Sequence, residues 1–191
     1  MKKALIVLVL LIILAACSTH NEGEITIKEA LDKNTRINWY NKWEEPSSNS
    51  ILEYLKALEV KEMRDSEYEF VYACCDMDDD GNKDIIIRST NYCDTQFVVI
   101  KHGQKYYGVM LSPKEAEDFY LTGIVSGFGG EWDYYYKIEV VDDELKEKLL
   151  AKSNGFDSFI VHEKTVSEKE FDAWVKEKCA EIVQWFKYKA E

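Results

Sequence analysis

The chain has 191 residues, 46% of them hydrophobic and 13% aromatic, with 36 acidic residues against 24 basic ones and a formal net charge of −12 at pH 7. That apolar and aromatic content excludes a disordered stalk, and the length suits one domain with a sizeable core. So acidic a surface is repelled by nucleic acid and by anionic lipid heads, which excludes a nucleic-acid ligand, whereas cations and basic molecules are attracted.

The chain opens Met1-Lys2-Lys3, continues with a wholly apolar run from Ala4 to Leu14 and then reaches Ala15-Ala16-Cys17. A basic start, an apolar run of roughly 7–15 residues and a small-residue cleavage site describe a secretory signal. The run is too short to span a bilayer as a helix, which takes roughly 20 apolar residues. Leu14-Ala15-Ala16-Cys17 resembles the lipobox of bacterial lipoproteins, which implies removal of residues 1–16 and acylation of Cys17 as the new N-terminus. Plain secretion, with cleavage near Ala16, is the alternative. Acyl chains, at ~0.8 kcal/mol per buried CH₂, would hold the protein on the extracytoplasmic face of the cell membrane, with the bilayer as a partner. Residues 17–24 then form the lipidated cysteine and a polar tether, and residues 25–191 a single domain. Cleavage removes Lys2 and Lys3 and no acidic residue, so the mature charge is −14.

Thr26 with Glu29, and Ser50 with Glu53, have the capping-box spacing that starts a helix. The spacing predicts helices near Ile27 to Trp43 and Ile51 to Val60, separated by Pro46. Ile51, Leu52, Leu55 and Leu58 make a core-facing stripe in the second. From Tyr68 the period changes to two, with Tyr68, Phe70, Tyr72 and Cys74 alternating with Glu69, Val71, Ala73 and Cys75, as in a strand. Strands follow at Ile85 to Ser89, Thr95 to Lys101 and Lys105 to Met110, with a turn at His102-Gly103. After a break at Ser112-Pro113, the runs Tyr120 to Ser126 and Trp132 to Val141 flank Gly127, Gly129 and Gly130. Asn154-Gly155, between Leu145 to Lys152 and Phe156 to His162, is a two-residue hairpin signal. Connections this short join antiparallel neighbours, so a meander is expected.

Ser167 with Glu170 gives a third capping box, and Phe171, Trp174, Val175, Cys179, Ile182, Val183 and Phe186 share one face at helical spacing. The expected fold class is α+β: N-terminal helices, an antiparallel meander sheet and a C-terminal amphipathic helix packed on that sheet.

The segment Asp76-Met77-Asp78-Asp79-Asp80-Gly81-Asn82-Lys83-Asp84 holds five aspartates in nine residues. Carboxylates stand at its first, third, fifth and ninth positions and a glycine at the sixth. Alternate spacing turns successive oxygens inward around the bend that Gly81 permits, and Asn82 at the seventh position can offer its backbone carbonyl. Without a counter-ion the aspartates repel one another, by about 4 kcal/mol for a pair ~4 Å apart at an effective dielectric of about 20. A hard divalent cation reverses that sign. Calcium, which takes 6–8 oxygens at roughly 2.3–2.6 Å, is the expected ion. The alternative is a solvated acidic turn between two strands.

The motif resembles the D-x-D-x-D-G loops of EF-hands, dockerins and integrin-type FG-GAP repeats. Its twelfth position is Ile87 where an EF-hand has a bidentate Glu, and β signals flank it. It is therefore most similar to the FG-GAP form, D-x-D-x-D-G-x-x-D followed by an apolar strand, here Ile85-Ile86-Ile87. That resemblance implies that Asp76, Asp78, Asp80 and Asp84 bind calcium through side chains and Asn82 through its carbonyl, while Asp79 faces water. A single copy implies no propeller. Without the twelfth-position Glu the affinity should be weak, in the ~10⁻⁴–10⁻³ M range of extracellular modules, and the ion structural. Lipobox, helical start, single aspartate loop, sheet and closing helix together resemble lipoproteins of Gram-positive gut and soil bacteria, a likeness that implies no activity.

Other chemistry is sparse. No C-x-x-C or H-E-x-x-H pattern favours zinc. His20 falls in the tether, His102 in a turn and His162 at a strand end, and no G-x-S-x-G surrounds Ser126. Cys74 and Cys179 fall on predicted core faces, as a disulfide or, preferably, as buried thiols; Cys75 points away from Cys74 and Cys93 stands apart. Trp132, Tyr134, Tyr135 and Tyr136 either line a sugar or peptide groove or, the preferred alternative, pack with Tyr134 and Tyr136 on one face and Tyr135 on the other. The leading functional expectation is a non-catalytic, calcium-stabilised binding domain for a cell-wall polymer or another protein. An inhibitor or immunity-type lipoprotein, or a hydrolase using carboxylates, are the alternatives.

Overall fold

The computed structural model of the chain describes residues 26–32, 35–40, 51, 69–89 and 96–189. The signal segment, Cys17, Cys93 and the second predicted helix beyond Ile51 lie outside the described residues. The chain is α+β and mostly β, with two six-stranded sheets.

Thr26 and Glu29 form the predicted capping box and start helix α1, Ile27–Leu31. The helix stops there, and residues expected to continue it form strand β1, Ile37–Tyr40, parallel to β5, Lys105–Leu111. β-branched and aromatic side chains favour the pleated surface. Trp39 lies opposite Gly108, whose missing side chain leaves the space that Ile37 and the indole fill.

Strands β2, Glu69–Cys75, β3, Asp84–Ser89, and β4, Gln96–His102, continue to β5 as an antiparallel meander. The first sheet has the order β1-β5-β4-β3-β2-β12, closed at one edge by β12, Phe186–Lys189. Ile85, Ile86 and Ile87 are all buried, as are Phe97 to Ile100, because this sheet is covered on both faces. Ile86, Val98 and Ile100 join Val109 and Leu111 in packing on the second sheet. Ile85, Ile87, Phe97 and Val99 pack on Ala30, Leu31 and the helical residue Ile51.

The second sheet is wholly antiparallel in the order β11-β10-β9-β8-β7-β6. Its strands are β6, Asp118–Phe119, β7, Val125–Gly129, β8, Trp132–Val141, β9, Glu144–Ser153, β10, Phe159–Val161, and β11, Lys164–Thr165. The run expected as one strand from Tyr120 to Ser126 is broken by a turn at Gly123, whose φ is +72°. Asn154-Gly155 opens a longer loop than a two-residue hairpin, because the Asn154 side-chain oxygen accepts the N–H groups of Phe156, Asp157 and Ser158. Two-residue hairpins in which both turn residues are left-handed fall instead at Asp142-Asp143 and His162-Glu163. Asp143 also ties the sheets, accepting from Lys105 Nζ at 2.6 Å and the Tyr107 hydroxyl at 2.9 Å.

Helix α2, Glu168–Lys178, starts at the predicted Ser167–Glu170 capping box. Phe171 and Trp174 meet Tyr135 edge-on on the outer face of the second sheet, while Tyr134 and Tyr136 face the other way. The helix is shorter than its apolar spacing suggests. Ile182 forms an isolated bridge with Tyr120, Val183 enters the core between the sheets and Phe186 begins β12. The layers are therefore helical segment, first sheet, second sheet and α2, so the two helical ends cover different sheets. Cys75 and Cys179 are free thiols, so no disulfide joins Cys74 to Cys179.

Full burial of Ile86 at the sheet interface sets an expectation. Ile86→Ala should lower the free energy of unfolding by about 2–5 kcal/mol. Phe156→Ala, at a side chain 86% exposed, should change it by less than about 0.5 kcal/mol. Urea midpoints check both, and equal shifts would contradict this layering.

Candidate metal centre

Cys75 and Asp84 are register partners at the ends of β2 and β3, so Asp76 to Lys83 form the connection between two adjacent strands. The local sequence closes this loop through its own carboxylates. Asp78 Oδ1 accepts the Asp80 N–H at 3.4 Å, Asp80 Oδ1 accepts the Asn82 N–H at 2.7 Å, and Asp76 Oδ2 accepts the Gly81 N–H at 2.9 Å. Side-chain oxygens reaching N–H groups two residues on are the Asx turns that aspartate favours. Gly81, with φ +87°, takes the left-handed bend at the sixth position.

Asp84 is buried at the mouth of the hairpin, accepting the Met77 N–H at 2.9 Å and the Lys101 N–H at 3.2 Å. One carboxylate thus joins the start of the loop to the far end of β4. Asp76, Asp78 and Asp84 each offer a carboxylate oxygen, and these oxygens lie within 4.8 Å of one another. Asp78, Asp80 and His102 form a second such group, more exposed. Each group can hold a metal ion. Asp76 Oδ1 is buried without a hydrogen-bond partner, although its sister oxygen is satisfied.

Three of the five expected ligands therefore meet at one centre. Asp80 shares only the second group, and both its oxygens hold Asn82, through the backbone N–H and the side-chain amide. Asp79, expected to face water, is exposed but ion-paired with the ammonium of Lys137, a buried lysine on β8, and its φ is +60°. His102, read in the sequence only as a turn residue, places Nδ1 3.1 Å from Asp78 Oδ2. The β4–β5 turn brings it there from 24 residues away, a proximity that only strand pairing reveals. Gly123 is a further neighbour without a sequence signal. A Cβ at this position would overlap the carbonyl oxygen of Asp76.

Burial pushes the Asp84 carboxyl well above its ordinary value of 3.8, against the pull of the Met77 and Lys101 N–H groups, with Asp78 and Asp80 adding repulsion. Asp78 is raised in the same way, mainly by burial, while its bond to His102 opposes the shift. A low-dielectric site that crowds carboxylates favours their neutral form unless a cation is present. Burial pushes the thiol of Cys75, just before the loop, up to about 12 and that of Cys179, at the end of α2, up to about 11, so neither is a ready nucleophile.

The chain matches no protein-family model, no curated protein and no solved structure.

Because Asp78 and Asp84 are raised, their contribution to stability is fully present below about pH 3.8 and is lost as pH rises through their folded values. A metal ion held by the ionised pair would remove that loss. Melting temperatures taken from pH 4 to pH 7 should show a calcium-minus-chelator difference that grows with pH. A difference independent of pH would contradict a role for these carboxyls.

Proposed function

We propose that the chain is a lipid-anchored, extracytoplasmic calcium-binding protein whose ion is structural, and that its domain binds a partner and carries out no reaction. The observation that carries the calcium reading is the convergence of the Asp76, Asp78 and Asp84 carboxylates, together with Asp76 Oδ1, a buried anionic oxygen without a partner. Such an oxygen is costly to bury, and an ion at the shared centre would satisfy it. The inner donor group is all oxygen, which suits a hard cation; the single nitrogen, from His102, belongs to the outer group. On this reading Asp80 and the Asn82 carbonyl complete the shell together with water.

The position of the loop favours a staple over a sensor. Asp84 reaches β4, Asp76 abuts the turn at Gly123 and Asp79 reaches β8, so one ion would brace connections belonging to both sheets. The anchor rests on Leu14-Ala15-Ala16-Cys17 and on the apolar run before it.

Calorimetry on the chelator-treated chain should give binding heat with a Kd of about 10⁻⁴–10⁻³ M. At ten times Kd the ion stabilises by about 1.4 kcal/mol, a rise in Tm of about 3–6 °C for a domain of this size. Asp84→Asn should abolish both effects. Neither heat nor shift at millimolar calcium would reject the site. For the anchor, Cys17→Ala should move the protein from the membrane fraction to the soluble one, and undiminished membrane retention would count against lipidation.

A further inference from the structure

A cleft of about 320 Å³ opens on the second sheet where the turn after Ser112 crosses β7 to β9, lined by Lys114, Glu115, Phe128, Tyr134, Glu147 and Leu149. Backbone contacts preform it. The Phe128 N–H donates to the Lys114 carbonyl at 2.6 Å and the Glu117 N–H to the Ser126 carbonyl at 2.7 Å. Buried Tyr136 closes the back, its hydroxyl donating to the Glu115 carbonyl at 2.7 Å. At Gly127 the turn lies so close to β7 that any side chain would overlap the Glu115 carbonyl oxygen.

The cleft leaves large apolar groups in water: Phe128 is 43% exposed and Leu149 45%. Beside them stand two carboxylates and one ammonium, on a chain whose formal charge is −12. Its size is at the lower end of ligand pockets, roughly 300–1,000 Å³, which suits one long side chain. A cation is drawn to aromatic faces by their quadrupole, and a planar guanidinium both stacks on a ring and forks onto a carboxylate. A polyanionic wall polymer would be repelled by the same charge. We propose that this cleft receives an arginine side chain of a basic polypeptide partner. The proposal rests on the reading of the domain as a binding module and names the class of its partner.

The probe is a fluorescently labelled hexa-arginine peptide, titrated by anisotropy into the full chain in neutral detergent at saturating calcium. Phe128→Ala should weaken binding about five-fold or more, and Glu147→Gln about three-fold or more. Glu168→Gln, the same change of charge on α2, should leave binding unchanged. Equal affinities for all three variants would mean diffuse attraction and overturn the proposal. Binding of chitotetraose without binding of hexa-arginine would overturn it too. Calcium heats measured on the same variants separate the two readings, since loss of peptide binding with normal calcium uptake concerns the cleft alone.

Discussion

The carboxylate of Asp84 sits where the hairpin of β2 and β3 leaves the core, almost wholly removed from water and facing Asp76 and Asp78. Two backbone N–H groups hold it, one from the start of the loop and one from β4, so it cannot retreat into solvent without releasing Met77 and Lys101. Like charges are thus confined in a low-dielectric corner, and the corner must be neutralised by protons or by a cation. The rest of the loop follows from this constraint. Asx turns aim successive oxygens inward, Gly81 takes the bend, and Lys137 holds Asp79, the one aspartate that points away.

The layering explains why that corner matters. The first sheet is a middle layer, so β3 and β4 are apolar on both faces and their ends are the first places where polar chemistry can occur. At one such end the β2–β3 loop, the β4–β5 turn and the turn at Gly123 lie together, contributed by both sheets. An ion there would brace the sandwich. The cleft beside Phe128 belongs to the second sheet and draws on different groups, so the candidate ion site and the proposed peptide cleft need share only the negative field of the chain.

Much of this was legible in the sequence because it depends on local spacing. The capping boxes at Thr26 and Ser167 form as read, the period-two run marks β2, strand-and-turn signals mark β3, β4, β5 and β8, and the alternate aspartates bring Asp76, Asp78 and Asp84 to one centre. What the sequence misassigned depends on partners distant along the chain. Ile182, Val183 and Phe186 keep helical spacing, yet Tyr120, the inter-sheet core and β2 offer them better contacts, so the helix ends at Lys178. Ile37 to Tyr40 leave the expected helix because the edge of β5, with Gly108 opposite Trp39, accepts a parallel strand. His102, Lys137 and Gly123 reach the aspartate loop only through strand pairing and turns, which no spacing within the loop reports.

Anomalous diffraction from crystals of the chain grown in millimolar calcium should show one ion enclosed by oxygens of Asp76, Asp78 and Asp84 at roughly 2.3–2.6 Å. No peak at that centre, or a metal held instead by His102 Nδ1 at the roughly 2.0–2.1 Å of a zinc–nitrogen bond, would contradict calcium binding there.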